Sequence, residues 1–448
     1  MPPESRPEMP HRKLESKGLA VPSGRWSRLA RFGGMASGIA GAMLLDGAKQ
    51  FAQGKRPSMS DLLLTPANAL KITSQLAQLR GAAMKVGQLL SMDAGDMLPP
   101  ELADILGRLR SDAHHMPQSQ SRATLNAHWG VGWQKKFAGF SFKPIAAASI
   151  GQVHRAKTLD GRDLAIKIQY PGVRHSIDSD VNNVASLMRL SGVLPKTLNI
   201  APLLAEAKRQ LHQEADYKQE GQYLHRFASL LADSPGFVVP KLHADFSTQS
   251  VLAMDYMEGV PVESLAEARQ KERDRLMTLL VGLLFRELFE FRLMQTDPNF
   301  ANYRYNSATR QLVLLDFGAT REFPPEIPQN YRRLVNAGLA GERAAARQSM
   351  IDIGFFTAAT PDHYQAAVID MFELSLEPLR DNAPFDFGST DIAARLRDGG
   401  MAIGKQRTFW HIPPMDTLFL QRKFGGVYLL ASRLKARVNV RALMQPYL

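Results

Sequence analysis

A lysine stands in the middle of an alternating, otherwise apolar run, and that placement restricts the folds open to the chain. In DLAIKIQY, Asp163 to Tyr170, residues Leu164, Ile166, Ile168 and Tyr170 share one strand face, with Ala165, Lys167 and Gln169 on the other. An ammonium among apolar neighbours is costly to bury alone, so Lys167 needs a carboxylate or a bound anion. Asp160-Gly161 just ahead is a hairpin signal, and the strand before it includes Gly151, Val153 and Arg155. Two such strands need more partners to be stable. A further strand-like segment, VLAMDYM, Val251 to Met257, comes later in the chain.

The segment QEADYKQE supplies the acids Glu214, Asp216 and Glu220. Asp216 and Glu220 are four apart and share a helix face, whereas Glu214 points elsewhere because two residues rotate by about 200°. One acid can therefore serve Lys167 while another reaches a different basic group. An apolar helix, Leu276 to Leu293, then leads into the sharp turn TDPNFAN and the short strand QLVLLDFG, which exits at Asp316 with Gly318 just beyond. The order is a small-residue turn, a strand lysine, an acidic helix, a linker strand, a helix ending at Asp297 with Asn302 five residues on, and a strand into Asp-Phe-Gly. That order fits a phosphoryl-transfer fold of the protein-kinase class. Asp316 and the amide oxygen of Asn302 suit a divalent ion bridging nucleotide phosphates, and Asp297 sits where a hydroxyl-orienting base belongs. The phosphate-covering turn departs from the kinase pattern: KPIAAASIGQVHRA puts Ala146, Ala147, Ala148 and Ser149 ahead of a single glycine, Gly151. Alanine reaches positive φ less freely than glycine, so altered nucleotide handling is expected.

Composition narrows the chemistry. The 448 residues contain no cysteine, which excludes disulfides, thiolate catalysis and cysteine-built metal sites. Lys and Arg outnumber Asp and Glu by 55 to 43, a net charge of +12 that favours polyanionic neighbours. Aromatic residues do not interleave with the basic clusters, so no nucleic-acid partner is expected. Residues 1–31 form a basic, Pro-rich arm in which Arg6, Arg12, Lys13, Lys17, Arg25, Arg28 and Arg31 outnumber Glu4, Glu8 and Glu15. The apolar run that follows, Phe32 to Leu45, is 14 residues long, short of the roughly 20 that cross a bilayer. It reads as a membrane-surface segment or as a buried small-residue hinge.

With these motifs in place, the sequence resembles the ABC1/ADCK/UbiB family of atypical kinase-like proteins, closest to its Coq8-like ubiquinone-biosynthesis branch, from about Arg25 to the C-terminus. The family's KxGQ element matches Lys85, Gly87 and Gln88, and its alanine-rich loop matches Ala146, Ala147, Ala148 and Ser149. Its strand lysine matches Lys167, its ExD acids and following glutamate match Glu214, Asp216 and Glu220, its catalytic-loop pair matches Asp297 and Asn302, and its metal aspartate matches Asp316. Other branches carry histidines in the catalytic loop where this chain has Gln295 and Asn299, a departure shared with the Coq8-like branch.

The resemblance implies an α+β, bilobal protein-kinase-like fold with an antiparallel small lobe and a mainly helical large lobe. The expected division is an arm and apolar segment at 1–59, a helical KxGQ extension at 60–140, a small lobe at 141–258 and a large lobe with a C-terminal helical extension at 259–448. It also implies ATP or ADP and Mg2+ as cofactors, with Met257 joining the alanine-rich loop and Lys167 at the nucleotide. Lys85, Gln88, Glu214 and Asp216 are expected to gate the site: Glu214 or Asp216 pairs with Lys85, leaving Glu220 for Lys167. The implied activity is an ATP- and Mg-dependent atypical kinase or ATPase supporting ubiquinone biosynthesis, acting on or regulated by a small molecule or lipid. Expected partners are quinone-biosynthesis enzymes or lipid intermediates, an anionic membrane surface and a second copy of the chain, at the cytoplasmic inner face of the membrane. The alternative is a nucleotide-binding scaffold without turnover, which would have no use for Asp297. A small-molecule phosphotransferase of the aminoglycoside or choline type would leave the KxGQ and alanine-rich elements unexplained.

Overall fold

The computed structural model describes residues 81–82, 85–86, 115–190, 200–297, 299–405 and 413–448. The basic arm, the Phe32 to Leu45 segment and Gln88 lie outside the described residues.

The small lobe is a five-stranded antiparallel sheet. Strands β1 (Phe137–Phe140), β2 (Ala146–Ala147), β3 (Gly151–Thr158), β4 (Asp163–Gln169) and β6 (Val251–Asp255) form it, in the order β1-β3-β4-β6 with β2 added on β3. The hairpin predicted at Asp160-Gly161 joins β3 to β4, with Gly161 at φ 93°. The sheet includes Phe137–Phe140, ahead of the division expected at 140/141. Strand β4 lies between β3 and β6, where Lys167 pairs in register with Val153 and Leu252.

The alternation in β4 separates two environments. Leu164, Ile166, Ile168 and Tyr170 pack under helix α1 (Gln118–Trp129) with Leu125, Trp133, Phe137 and Phe246. Ala165 and Lys167 face the other way, toward the large lobe, and Ala165 joins its core. Gly151 opens β3 where only a hydrogen fits: a Cβ there would lie 2.4 Å from the Ile168 carbonyl oxygen and 2.8 Å from the Tyr217 hydroxyl.

Helix α2 (Val173–Leu190) follows β4. The segment that carries the acids Glu214, Asp216 and Glu220 spans two helices, α3 (Ala201–Glu214) and α4 (Tyr217–Leu230). The break falls at Ala215 and Asp216, because the Asp216 side chain accepts from the backbone N–H groups of Lys218 and Gln219 and caps α4. A second sheet runs β5 (Phe237–Val238), β10 (Gln311–Leu314), β9 (Tyr303–Asn306), β7 (Val260–Pro261), with β5 and β10 parallel, and its Tyr303, Tyr305, Leu312 and Leu314 join the large-lobe core. Strands β8 (Leu293–Gln295) and β11 (Thr320–Glu322) pair antiparallel beside it.

Helix α5 (Gln270–Arg286) anchors the large lobe and unwinds through a π-turn, Glu287–Phe291, so the helix expected to reach Leu293 stops earlier. Arg292 takes a left-handed conformation at φ 50°, which turns the chain into β8. Helices α6 (Glu326–Ala340), α7 (Arg343–Ile353), α8 (Asp362–Ser375), α9 (Ile392–Lys405) and α10 (Met415–Arg433) complete the lobe, as the mainly helical C-terminal reading predicts. Among the described residues, no helix is long and apolar enough to cross a membrane.

Candidate active site

A cleft of about 820 Å³ lies between the lobes, within the ordinary range for ligand sites. The alanine-rich loop and the outward face of β4 roof it, Met257 and the end of β6 form its back, and Asp297, Asn302 and Asp316 lie on its floor. Residues assembled from positions far apart in the chain thus converge on one cavity.

Lys167 is the electrostatic centre. Its Nζ lies 2.8 and 3.0 Å from the two Glu220 carboxylate oxygens and 3.2 Å from Asp316 Oδ2. Burial alone would depress the ammonium, but Asp316 and Glu220 outweigh it and hold its pKa well above the usual lysine value. Burial has the opposite sign for Glu220, which is pushed up to about 7 with help from the Asp316 and Glu214 charges, while Lys167 pulls it back. Asp316 is held below the usual carboxylate range: burial opposes ionisation, and the Lys167 charge and the Gly318 N–H, 2.9 Å away, overcome it. Glu214, Glu220 and Asp316 are met by Lys85 and Lys167, and Arg304, Arg422 and Arg433 also line the cleft.

The DFG segment couples these groups by packing. Phe317 is buried against Phe227 of α4, with ring centroids 5.0 Å apart, on the helix that carries Glu220. A Cβ on Gly318 would crowd Glu220 Oε2 at 3.3 Å, so glycine lets α4 approach. Sheet pairing of Gln295 with Thr320 and a Thr296 N–H to Ala319 carbonyl bond of 3.0 Å fix the turn that bears Asp297 and Asn302 against the strand that leaves DFG.

Within that turn, Asp297 accepts from the Asn299 N–H at 3.3 Å and from Asn302 Nδ2 at 3.3 Å. Because the Asn302 nitrogen turns to Asp297, its carbonyl oxygen is left for a cation. Asp316 and Asn302 therefore form the donor set expected of a Mg2+ site that also uses phosphate oxygens. Among the described residues, no three Asp, Glu or His side chains form a metal cage by themselves.

The residues expected to gate the site separate. Lys85, helical with Val86 and buried, forms an ion pair with Glu214 at the end of α3, and Glu214 also accepts from Ser149 Oγ at 2.7 Å. One carboxylate so ties the KxGQ segment to the alanine-rich loop. Of the two acids expected as alternatives for Lys85, Glu214 makes the pair; Asp216 caps α4 instead. The expected shared face of Asp216 and Glu220 gives way to that cap, because Asp216 precedes the first turn.

Three contributors escaped the sequence reading. Gly81, four residues before Lys85, lies against the loop, where a Cβ would sit 2.9 Å from Ile150 Cγ2 and 3.1 Å from the Ser149 carbonyl oxygen. Its helical spacing from Lys85 was a usable signal. Tyr217 is buried with its ring 5.2 Å from Lys167 Nζ. Arg422 of α10 approaches Asp297 Oδ1 at 3.6 Å, from a helix whose sequence offers no hint of the site.

Comparison with known proteins agrees with this geometry. Residues 108–350 match the ABC1 atypical kinase-like domain. The chain is 36% identical over 432 residues to the atypical kinase COQ8, mitochondrial, of Saccharomyces cerevisiae, covering 96% of this chain and 86% of the yeast protein. It is 37% identical over 441 residues to COQ8B of Danio rerio, covering 98% of this chain and 70% of the fish protein. Its fold resembles the solved structure of Rv3197 with erythromycin, from Mycobacterium tuberculosis, at a TM-score of 0.60 and 25% identity, covering 85% of this chain and 95% of that one. The bilobal kinase-like fold carries the expected motifs in the expected order, and the chain belongs to the ABC1 atypical kinase-like family, in its Coq8-like branch.

Proposed function

We propose that the protein is an ATP- and Mg-dependent atypical kinase or ATPase that supports ubiquinone biosynthesis, acting on or regulated by a small molecule or lipid. The observation that carries this reading is the convergence of Lys167, Glu220, Asp316, Asn302 and Asp297 on one cleft, with spare acceptor oxygens on its floor. Bound Mg2+ would supply charge neutralisation between the nucleotide phosphates and the floor carboxylates. Lys167, oriented by Glu220, would hold the phosphates from the roof. Asp316 and Asn302 would carry the cation, and Ala146, Ala147, Ala148, Ser149 and Met257 would enclose the nucleotide. Asp297 would orient the attacking hydroxyl or water, with its carboxylate held by Asn299 and Asn302.

The ion pair of Lys85 with Glu214 places the KxGQ segment beside the alanine-rich loop, where it narrows the cleft toward water or a small hydroxyl compound. The names of the yeast and vertebrate relatives, atypical kinases, support the kinase reading; the pathway, with quinone-biosynthesis enzymes or lipid intermediates as partners, is what membership of the Coq8-like branch implies. The basic arm and short apolar segment support peripheral attachment to an anionic membrane face, at about 1 kcal/mol per basic residue near the surface.

Nucleotide titration with and without Mg2+ tests the cofactor assignment. The expected result is ATP affinity at least about tenfold higher with Mg2+, and loss of that gain in Asp316→Asn. Equal affinities under both conditions would remove the metal role of Asp316 and Asn302.

A further inference from the structure

The turn that bears Asp297 and Asn302 is gripped from behind by two buried charges that the cleft never touches. Lys423, 3% exposed on α10, donates through Nζ to the Gln295 backbone carbonyl at 2.7 Å, to Gln295 Oε1 at 2.9 Å and to the Tyr303 hydroxyl. Glu287, 1% exposed in the π-turn after α5, accepts from the Gln295 N–H at 3.2 Å. Gln295 is the last residue of β8 and Tyr303 the first of β9. One ammonium therefore joins the two ends of the catalytic turn, and the two main-chain polar groups of Gln295 are held by opposite charges.

The distribution of hydrogen bonds shows what the pair is for. Lys423 Nζ and Glu287 Oε2 are 3.9 Å apart, yet the hydrogen bonds of both residues go to the turn. A buried pair that merely neutralised itself would gain little over apolar packing. Burial also pushes the Glu287 carboxyl up to about 7 against the pull of Lys423, so keeping both charges here is costly. The neighbouring residue on α10, Arg422, reaches Asp297 itself, so one stretch of this helix addresses both the base of the turn and its carboxylate.

We infer that Lys423 and Glu287 form a clamp that fixes the geometry of the Asp297–Asn302 turn, making Lys423 a positioning residue for phosphoryl transfer. The inference rests on the reading of Asp297 and Asn302 given above. It assigns a task in the reaction to helix α10.

The test compares wild type, Lys423→Met and the double variant Glu287→Gln with Lys423→Met. Removing the lysine alone leaves a buried carboxylate uncompensated and lowers the melting temperature; neutralising both groups restores much of it. Turnover should not follow stability. In the double variant, kcat for ATP hydrolysis is expected to stay down by about tenfold or more while KM for ATP changes by less than about threefold, as displacement of catalytic groups costs rate. Amide hydrogen exchange in residues 296–302 should be faster than in wild type even where global stability is recovered. Recovery of kcat together with the melting temperature, or unchanged exchange in the turn, would overturn the clamp. Wild-type protein that releases no phosphate would defeat the phosphoryl-transfer reading instead, and the exchange comparison would then decide whether the turn is clamped.

Discussion

Replacing Lys167 with methionine is expected to abolish tight nucleotide binding, weakening affinity for ATP with Mg2+ by about a hundredfold or more, and to destabilise the fold by about 3–5 kcal/mol. The two losses share one cause. Lys167 is nearly buried and lies between Glu220, whose side chain is 1% exposed, and Asp316. Without the ammonium, Glu220 either keeps an unpaired buried charge or takes up a proton. Burial already holds its pKa near 7, so the variant should be more stable in mild acid than at pH 8. The sign follows from linkage: an acid with a folded pKa above its unfolded value near 4.5 stabilises the fold at low pH and loses that contribution as pH rises through the folded value. Isothermal titration with nucleotide and melting curves from pH 5 to 8 read both effects. Wild-type affinity and stability would place Lys167 outside the working site.

The second large effect concerns product pattern. Lys85→Ala and Glu214→Ala each break the ion pair that ties the KxGQ segment to the end of α3, and Glu214→Ala also frees Ser149. Because both side chains are largely buried, a coupling of about 1–3 kcal/mol is expected in a double-mutant cycle on phosphate release. Loosening the segment opens room for longer acceptors, so autophosphorylation should rise in each single variant. Strictly additive effects with an unchanged product pattern would show that these residues neither couple nor gate.

Much of this architecture was legible in the sequence, for identifiable reasons. A strand with one charge amid apolar residues, an aspartate at the exit of an apolar strand and a polar turn after an apolar helix are local patterns. Each retains its meaning whatever the rest of the chain does. The choice of Glu220 as the acid on Lys167 came with the family resemblance, whereas strand β4 and the Asp160-Gly161 hairpin followed from such patterns. The assignment of Asp216 did not, because a one-residue shift in a helix boundary turns a face residue into a cap, and the boundary depends on where α3 stops packing. Nor did Arg422, Lys423 and Glu287. A basic pair within an amphipathic helix reads as a solvated face, and an acid after an apolar helix reads as a terminus. Only the fold brings Glu287 to the same turn as Arg422 and Lys423, a neighbouring pair more than a hundred positions further along the chain.

The distinction between enzyme and scaffold comes down to Asp297. A scaffold needs Lys167, Asp316 and Asn302 to hold nucleotide but has no use for a carboxylate that orients an attacking oxygen. Phosphate release from ATP with Mg2+ should therefore be measured for wild type and Asp297→Asn side by side with nucleotide affinity. The predicted result is measurable wild-type turnover that falls by about a hundredfold or more in Asp297→Asn while affinity for ATP changes by less than about threefold. Nucleotide binding in both proteins with equal phosphate release, or with none in either, would contradict phosphoryl transfer at this site and leave a nucleotide-binding scaffold in its place.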